Sequence, residues 1–176
     1  MLNHFKIIIP FYNVEQWINL TMNSVKLQDY ENFECILVDD ISTDSSREIA
    51  LKHVEHDKRF RLIENREKKY VLKNICDTIE LSNPDQEDII VILDGDDWFA
   101  RKDVLSILNE TYNREKCWLT YGSYIEYPSK TRGKFAKEVP KEIIDGNLFR
   151  DSPWVTSHLK TWKHGLWKHI DQQRSF

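Results

Sequence analysis

The sequence predicts an α/β three-layer sandwich, with a mainly parallel central sheet and helices on both of its faces. Three observations carry that prediction. Short apolar, β-branched runs alternate with segments whose apolar residues recur at helical spacing. Several of the runs stop abruptly at polar or acidic residues. The 176 residues suffice for one ordinary core and leave little room for a second.

Taken in order, residues 5–9 form a buried strand that Pro10 closes. Val14, Trp17, Ile18, Thr21, Met22 and Val25 then return with helical period. Residues 33–38 are a second strand, ending at Asp39-Asp40. Ser45-Ser46-Arg47-Glu48 has the form of a capping box and opens a helix carrying Ile49, Ala50 and Val54. Residues 60–63 are a short third strand. Val71, Leu72, Ile75, Cys76 and Ile79 make the cleanest core-facing helical stripe, stopped by the turn Ser82-Asn83-Pro84-Asp85. Residues 89–93 are a core strand running into Asp94-Gly95-Asp96-Asp97. Val104, Leu105, Ile107 and Leu108 mark another helix, and residues 117–121 and 124–127 two more strands. Residues 128–151 read mostly as loop. The basic, aromatic stretch 156–170 reads as helix.

Composition excludes several classes. A hydrophobic fraction of 40% with 31% charged residues is that of a soluble globular chain, and five Gly and five Pro exclude low-complexity architectures. A net charge of −4 lacks the basic footprint of a nucleic-acid binder. No apolar stretch approaches the roughly 20 residues that a membrane span needs, and the run after Lys6 is too brief for a secretory leader. Cys35, Cys76 and Cys117 each sit in an apolar run, as reduced, buried thiols do, so a cytoplasmic setting is expected.

In open α/β sheets, ligands bind beyond the carboxyl ends of the strands. Here two strands end in five aspartates between them: Asp39, Asp40, Asp94, Asp96 and Asp97. One Asp per strand end is an ordinary helix cap. Five crowded carboxylates repel one another unless a cation or a donor sits among them. A divalent metal held with a phosphate-bearing ligand satisfies that requirement, and oxygen ligands suit Mg²⁺ or Mn²⁺ rather than Zn²⁺.

Three ordered segments carry a family resemblance: Ile7-Ile8-Ile9-Pro10-Phe11-Tyr12-Asn13-Val14-Glu15, Ile36-Leu37-Val38-Asp39-Asp40 with Ile41 to Ser46 following, and Ile92-Leu93-Asp94-Gly95-Asp96-Asp97. The set resembles the family 2 glycosyltransferases of the GT-A fold, over most of residues 5–170. The resemblance implies a metal-dependent, inverting transfer of a sugar from a nucleotide-diphosphate sugar, typically a UDP-sugar, to an acceptor hydroxyl. The acceptor would be a glycan, a lipid-linked sugar or a protein. It implies one domain over residues 1–176, with 1–100 binding nucleotide and 101–176 facing the acceptor.

Roles follow by resemblance. Pro10, Phe11, Tyr12 and Glu15 line the nucleotide pocket, and Asp40 accepts a hydrogen bond from the base. Asn65 and Lys73-Asn74 lie beside the diphosphate. Asp94 and Gly95 face the ribose; Asp94, Asp96 and Asp97 form a DxD-type motif for Mn²⁺ or Mg²⁺. His158-Leu159-Lys160-Thr161-Trp162 is similar to a segment near the donor sugar, with His158 a metal or phosphate ligand. Trp154 stacks on a sugar, whereas Trp162 stacks or packs in the core.

The chain departs from the family pattern in three places. Ile41 and Glu67 stand where glycines are usual, so a positive φ after Asp40 would be costly. Arg66, Lys68 and Lys69 occupy the second of these loops, facing the diphosphate or solvent. The usual acidic base downstream of residues 158–162 has no counterpart after Asp171. That leaves Asp151, another upstream group or a residue beyond Phe176 as the base, with a base-less nucleotide-sugar-binding module as the alternative. A receiver domain also gathers carboxylates at strand ends, but its acidic pair follows the first strand, and here a strand and a helix precede Asp39-Asp40. His53, His56, His164 and His169 read as exposed helix-face residues; Trp17, Trp98 and Trp118 read as packing. Lys160, Lys163, Lys168 and Arg174 give a basic tail, solvated or in weak contact with a membrane surface or an acceptor phosphate.

Overall fold

A computed structural model describes residues 1–169. Ile170, Asp171 and Arg174, named above, lie outside the described residues. The chain forms two compact units: residues 1–118 with 162–169, and residues 119–161.

The first unit holds strands β1 (Phe5–Phe11), β2 (Phe33–Asp39), β3 (Phe60–Glu64) and β4 (Ile89–Ile92), and helices α1 (Ile18–Lys26), α2 (Ser46–Val54), α3 (Tyr70–Ser82) and α4 (Val104–Glu115). The sheet runs β3-β2-β1-β4 with every pair parallel. β1 is central, and residues 7–9 are fully buried because both faces are covered. On one face Ile8 and Ile90 meet Ile79 of α3, with Ile75, Ile92, Trp162 and Trp167 around them. Alternation sends Ile7 and Ile9 to the other face.

Pro10 does not end β1. The strand continues to Phe11, pairing Pro10 with Val38 and Phe11 with Asp39. The register with β4 stops at Ile8 opposite Ile92, and Leu93 N–H donates to the Ile8 carbonyl. Residues two apart point the same way, so the position where Pro10 lacks an N–H faces the side that β4 has already left.

Three further expectations change. Val71 and Leu72 are more than half exposed, while Asn74, Cys76, Thr78 and Ile79 are the buried face of α3. Ser45 makes no side-chain cap on α2. Asp44 Oδ1 instead accepts from Ser46 N at 3.0 Å, and Glu15 Oε2 accepts from Ser45 N at 2.9 Å. Trp118 is 52% exposed rather than packed, with Lys163 Nζ 5.7 Å from its ring centroid.

The predicted helix over 156–170 is a strand, β8 (Ser157–Lys163), followed by a 3₁₀ helix over His164–His169. Within the second unit, β8 lies beside β5 (Leu119–Gly122), and the Thr161 and Thr120 hydroxyls bond at 2.7 Å. That remote partner overrides the local pattern. The interval 128–151 is not all loop: β6 (Ile125–Glu126) pairs antiparallel with β7 (Thr131–Arg132), and α5 (Lys141–Asp145) follows. Trp162 stacks on Trp167 at 6.5 Å, which makes it core packing. His164 is half-buried, with a buried Nδ1, rather than on an exposed face. No helix among the described residues is long and apolar enough to cross a membrane.

All three cysteines are free; Cys35 and Cys76 are buried and Cys117 is half-buried. Burial pushes the Cys35 thiol well above its ordinary value. In native buffer, Ellman's reagent should therefore titrate Cys117 rapidly, and Cys35 only when denaturant opens the sheet. Rapid native reaction of Cys35 would contradict the closed sheet described here.

Candidate active site

The carboxyl edge of the first unit gathers the ends of β1, β2 and β4. Asp40, just past β2, is 4% exposed, and its oxygens are heavily used. Oδ1 accepts from Lys69 N at 2.8 Å and Asn65 Nδ2 at 2.9 Å, and Oδ2 from Tyr70 N at 2.9 Å. Lys68 Nζ stands 3.6 Å from Oδ2. Burial alone would raise the Asp40 pKa, but hydrogen bonds from Lys69 N–H, Asn65, Asn74 and Tyr70 N–H outweigh it and hold the carboxyl below its ordinary value. Asn74, 2% exposed, accepts a second bond from Asn65 Nδ2 at 2.6 Å. Asn65 and Asn74 thus orient Asp40, and Lys73, exposed, pairs with Asp77.

Ile41 adopts φ 64° and Tyr70 φ 64°, one on each side of this network. The missing glycine therefore does not prevent the left-handed turn; the chain accepts strain of about 1–3 kcal/mol at each such residue. Ser42 N donates to Asp39 Oδ1 at 2.9 Å and fixes the turn. Asn13, φ 53°, is a residue type that tolerates this region, and its Oδ1 accepts from Thr43 N at 2.8 Å.

Phe11 is buried and Tyr12 is 47% exposed, with Lys68 Nζ over its ring. Lys68 was legible only as a loop cation; its place between Tyr12 and Asp40 depends on the fold. Glu15 is exposed, and its carboxylate is engaged at the start of α2. Asp44 also went unsingled. Burial opposes its ionisation, yet bonds from Ser46 and Glu15 N–H hold its pKa down.

Past β4, the acidic loop turns tightly, with Asp97 N donating to Asp94 O at 3.0 Å. A Cβ on Gly95 would lie 2.5 Å from Phe11 Cβ, so the absence of a side chain lets this loop press against β1. Carboxylate oxygens of Asp94 and Asp97 come within 4.8 Å of one another, and Asp96 is exposed. Converging hard oxygens of this kind fit Mg²⁺ or Mn²⁺. Trp17 and Trp98 stack at 6.1 Å behind the loop.

In the second unit, His158 packs edge-on against Tyr124 at 5.6 Å. Trp154 is 60% exposed, with Lys160 Nζ 4.0 Å from its ring centroid, and Asp151 is exposed. His53 is half-buried rather than exposed, its Nε2 2.9 Å from Asn19 Oδ1; His56 is exposed.

The family model described as Glycosyl transferase family 2 matches residues 6–166. The chain belongs to that family. A glycosyltransferase from Haemophilus influenzae is 35% identical over 120 residues, which is 67% of this chain and 46% of that protein. Glycosyltransferase GlyA of Streptococcus pneumoniae is 27% identical over 73% of this chain and 18% of its own length. The chain thus spans less than half the length of these relatives. Among solved structures, Staphylococcus aureus TarS with UDP-GlcNAc superposes with a TM-score of 0.70 at 18% identity, over 94% of this chain and 47% of TarS. The Pyrobaculum calidifontis mannosyltransferase with GDP-Man and Mn²⁺ gives 0.69 at 16% identity, over 97% and 47%. These likenesses show the GT-A fold that the motifs led us to expect.

Two outcomes are expected from the family 2 edge. Because the folded pKa of Asp40 is depressed, its contribution is complete above the ordinary value of 3.8 and is lost as pH falls below it. Asp40→Asn should lower urea-denaturation stability at pH 7 by about 2 kcal/mol and flatten the loss on acidification; equal stability at pH 7 would refute the network. Ile41→Gly should raise stability by about 0.5–1 kcal/mol in the same assay, since relief of strain exceeds the entropy that Gly adds to the unfolded chain.

Proposed function

We propose that this chain is the donor-binding part of a metal-dependent, inverting glycosyltransferase that uses a UDP-sugar. The observation that carries the reading is the convergence of Asp94 and Asp97 on a loop pressed against Phe11, in a chain of family 2. Structures of similar fold contain UDP-GlcNAc, or GDP-Man with Mn²⁺, which supports a nucleotide-sugar donor.

In this reading Tyr12 offers a face to the nucleotide base, above the floor that Pro10 and Phe11 make. Asp40, ionised and oriented by Asn65 and Asn74, lies at the base end of the pocket, where a base N–H reaches it only in exchange for one of its present donors. Lys68, over Tyr12 and beside Asp40, adds positive charge to the base end of the pocket, and Lys73 is an outer cation. Glu15 shapes the pocket indirectly, by ordering the start of α2. Asp94, Asp96 and Asp97 would hold Mn²⁺ or Mg²⁺. Bound there, the metal supplies Lewis-acid neutralisation of the leaving diphosphate.

The acceptor oxygen attacks the anomeric carbon as the bond to the donor phosphate oxygen breaks, so one in-line displacement inverts that centre. Asp151 accepts the acceptor's proton. Trp154 stacks on the sugar, and the residues from 101 onward face a glycan, lipid-linked or protein acceptor. The exposed Tyr127, Phe149 and Trp154, the last with Lys160 over its ring, suit an enzyme that works in the cytoplasm at a membrane surface.

Calorimetric titration of UDP with Mn²⁺ and then with EDTA tests the reading. Metal-dependent binding that Asp97→Asn reduces at least tenfold is expected. Absence of binding in both conditions would overturn it. Metal-dependent binding without donor turnover would favour the base-less binding module instead.

A further inference from the structure

The acidic loop carries three aspartates that repel one another, yet it is folded into a tight turn. Some part of the fold must hold it closed. α1 and the residues just after it present Thr21, Ser24 and Gln28 at spacings of three and four, on one helical face. All three side chains bond the backbone of residues 95–105, and each also donates to a carbonyl of its own segment, Trp17, Thr21 or Ser24. Thr21 Oγ1 donates to Gly95 O at 2.9 Å. Ser24 Oγ accepts from Phe99 N at 3.0 Å. Gln28 Nε2 donates to Arg101 O at 2.7 Å, while its Oε1 accepts from Leu105 N at 3.1 Å. Asp29 N adds a bond to Lys102 O at 2.8 Å.

We propose that Thr21, Ser24 and Gln28 are positioning residues that pre-form the acidic loop for its cation. The inference rests on the reading that Asp94 and Asp97 hold the metal together with the nucleotide diphosphate. Thr21 is the decisive member. It is fully buried, where valine would fill the same space, and its hydroxyl lies closer to Gly95 O, at 2.9 Å, than to its own helix's Trp17 O, at 3.4 Å. That bond fixes the peptide joining Gly95 to Asp96, in the middle of the motif. From the opposite side, Phe11 abuts Gly95 and leaves no room for a Cβ. The loop is therefore clamped between α1 and β1, and its carboxylates are brought together before any cation arrives. Ligands that are already placed cost less to order on binding.

The test compares UDP affinity with Mn²⁺ and with EDTA for wild type, Thr21→Ser, Thr21→Val and Ser24→Ala. Thr21→Val should lose about tenfold of the gain in UDP affinity that Mn²⁺ brings, roughly the effect of one buried hydrogen bond. Thr21→Ser should restore that gain, and affinity in EDTA should stay unchanged throughout. The electron paramagnetic resonance spectrum of Mn²⁺ with saturating UDP should broaden in Thr21→Val and not in Thr21→Ser. If Thr21→Val does not fold, Ser24→Ala carries the same comparison by removing the acceptor of Phe99 N–H. A variant that keeps the full Mn²⁺ gain, or that loses affinity equally in EDTA, would overturn the inference. A wild type with no Mn²⁺ gain would overturn the metal reading itself, and the clamp's purpose with it, so the two failures are distinguishable.

Discussion

A carboxylate that is 4% exposed at the end of a core strand survives ionised only because donors converge on it. Asp40 has two backbone N–H groups, the Asn65 amide and a further bond from Asn74, with the Lys68 ammonium just outside. The two N–H groups belong to Lys69 and Tyr70, at the start of α3. The charge therefore fixes where α3 begins relative to β2. It also holds Tyr70 at φ 64°, a conformation that residue would not choose alone, while the neighbouring Ile41, also at 64°, is held by Ser42 N–H on Asp39.

The same device recurs along the edge. Asp39 accepts from Ser42 N–H, Asp44 from Ser46 N–H and Glu15 from Ser45 N–H, so acidic side chains are spent on backbone donors at turns and at a helix start. Asp94 and Asp97 differ in that their oxygens approach each other across a tight turn. The division separates carboxylates bonded to backbone donors along the rim from the Asp94–Asp97 pair, whose oxygens converge. It also explains why a family 2 chain can dispense with glycine after Asp40, since the Asp39 bond compensates the strain at Ile41.

The first four strands and helices were legible in the sequence because their signals are local: β-branched runs, helical periodicity and polar strand ends. Pro10 misled because its cost depends on whether a neighbouring strand is still present, a fact of register. Val71 and Leu72 misled because apolar periodicity overlooks the polar Asn74 and Thr78, which the fold buries with Cys76 and Ile79 while leaving the first turn exposed. Residues 157–163 were misread as helix because their pairing partner lies about 40 residues away in the chain, beyond any local signal. The motifs singled out Asp40, Asp94 and Asp97, which the fold places just past β2 and β4 at the carboxyl edge. Lys68 over Tyr12, the Asn65–Asn74 link and Thr21 were not visible, since each depends on a contact between distant segments.

Native-state amide exchange at Lys69 and Tyr70, followed by NMR, tests the role of Asp40 most directly. If the Asp40 carboxylate anchors the edge, both amides should be protected nearly as well as those of β1, exchanging only when the whole first unit opens. Exchange at both positions on the timescale of an exposed loop, with β1 still protected, would show that the carboxylate does not hold the start of α3.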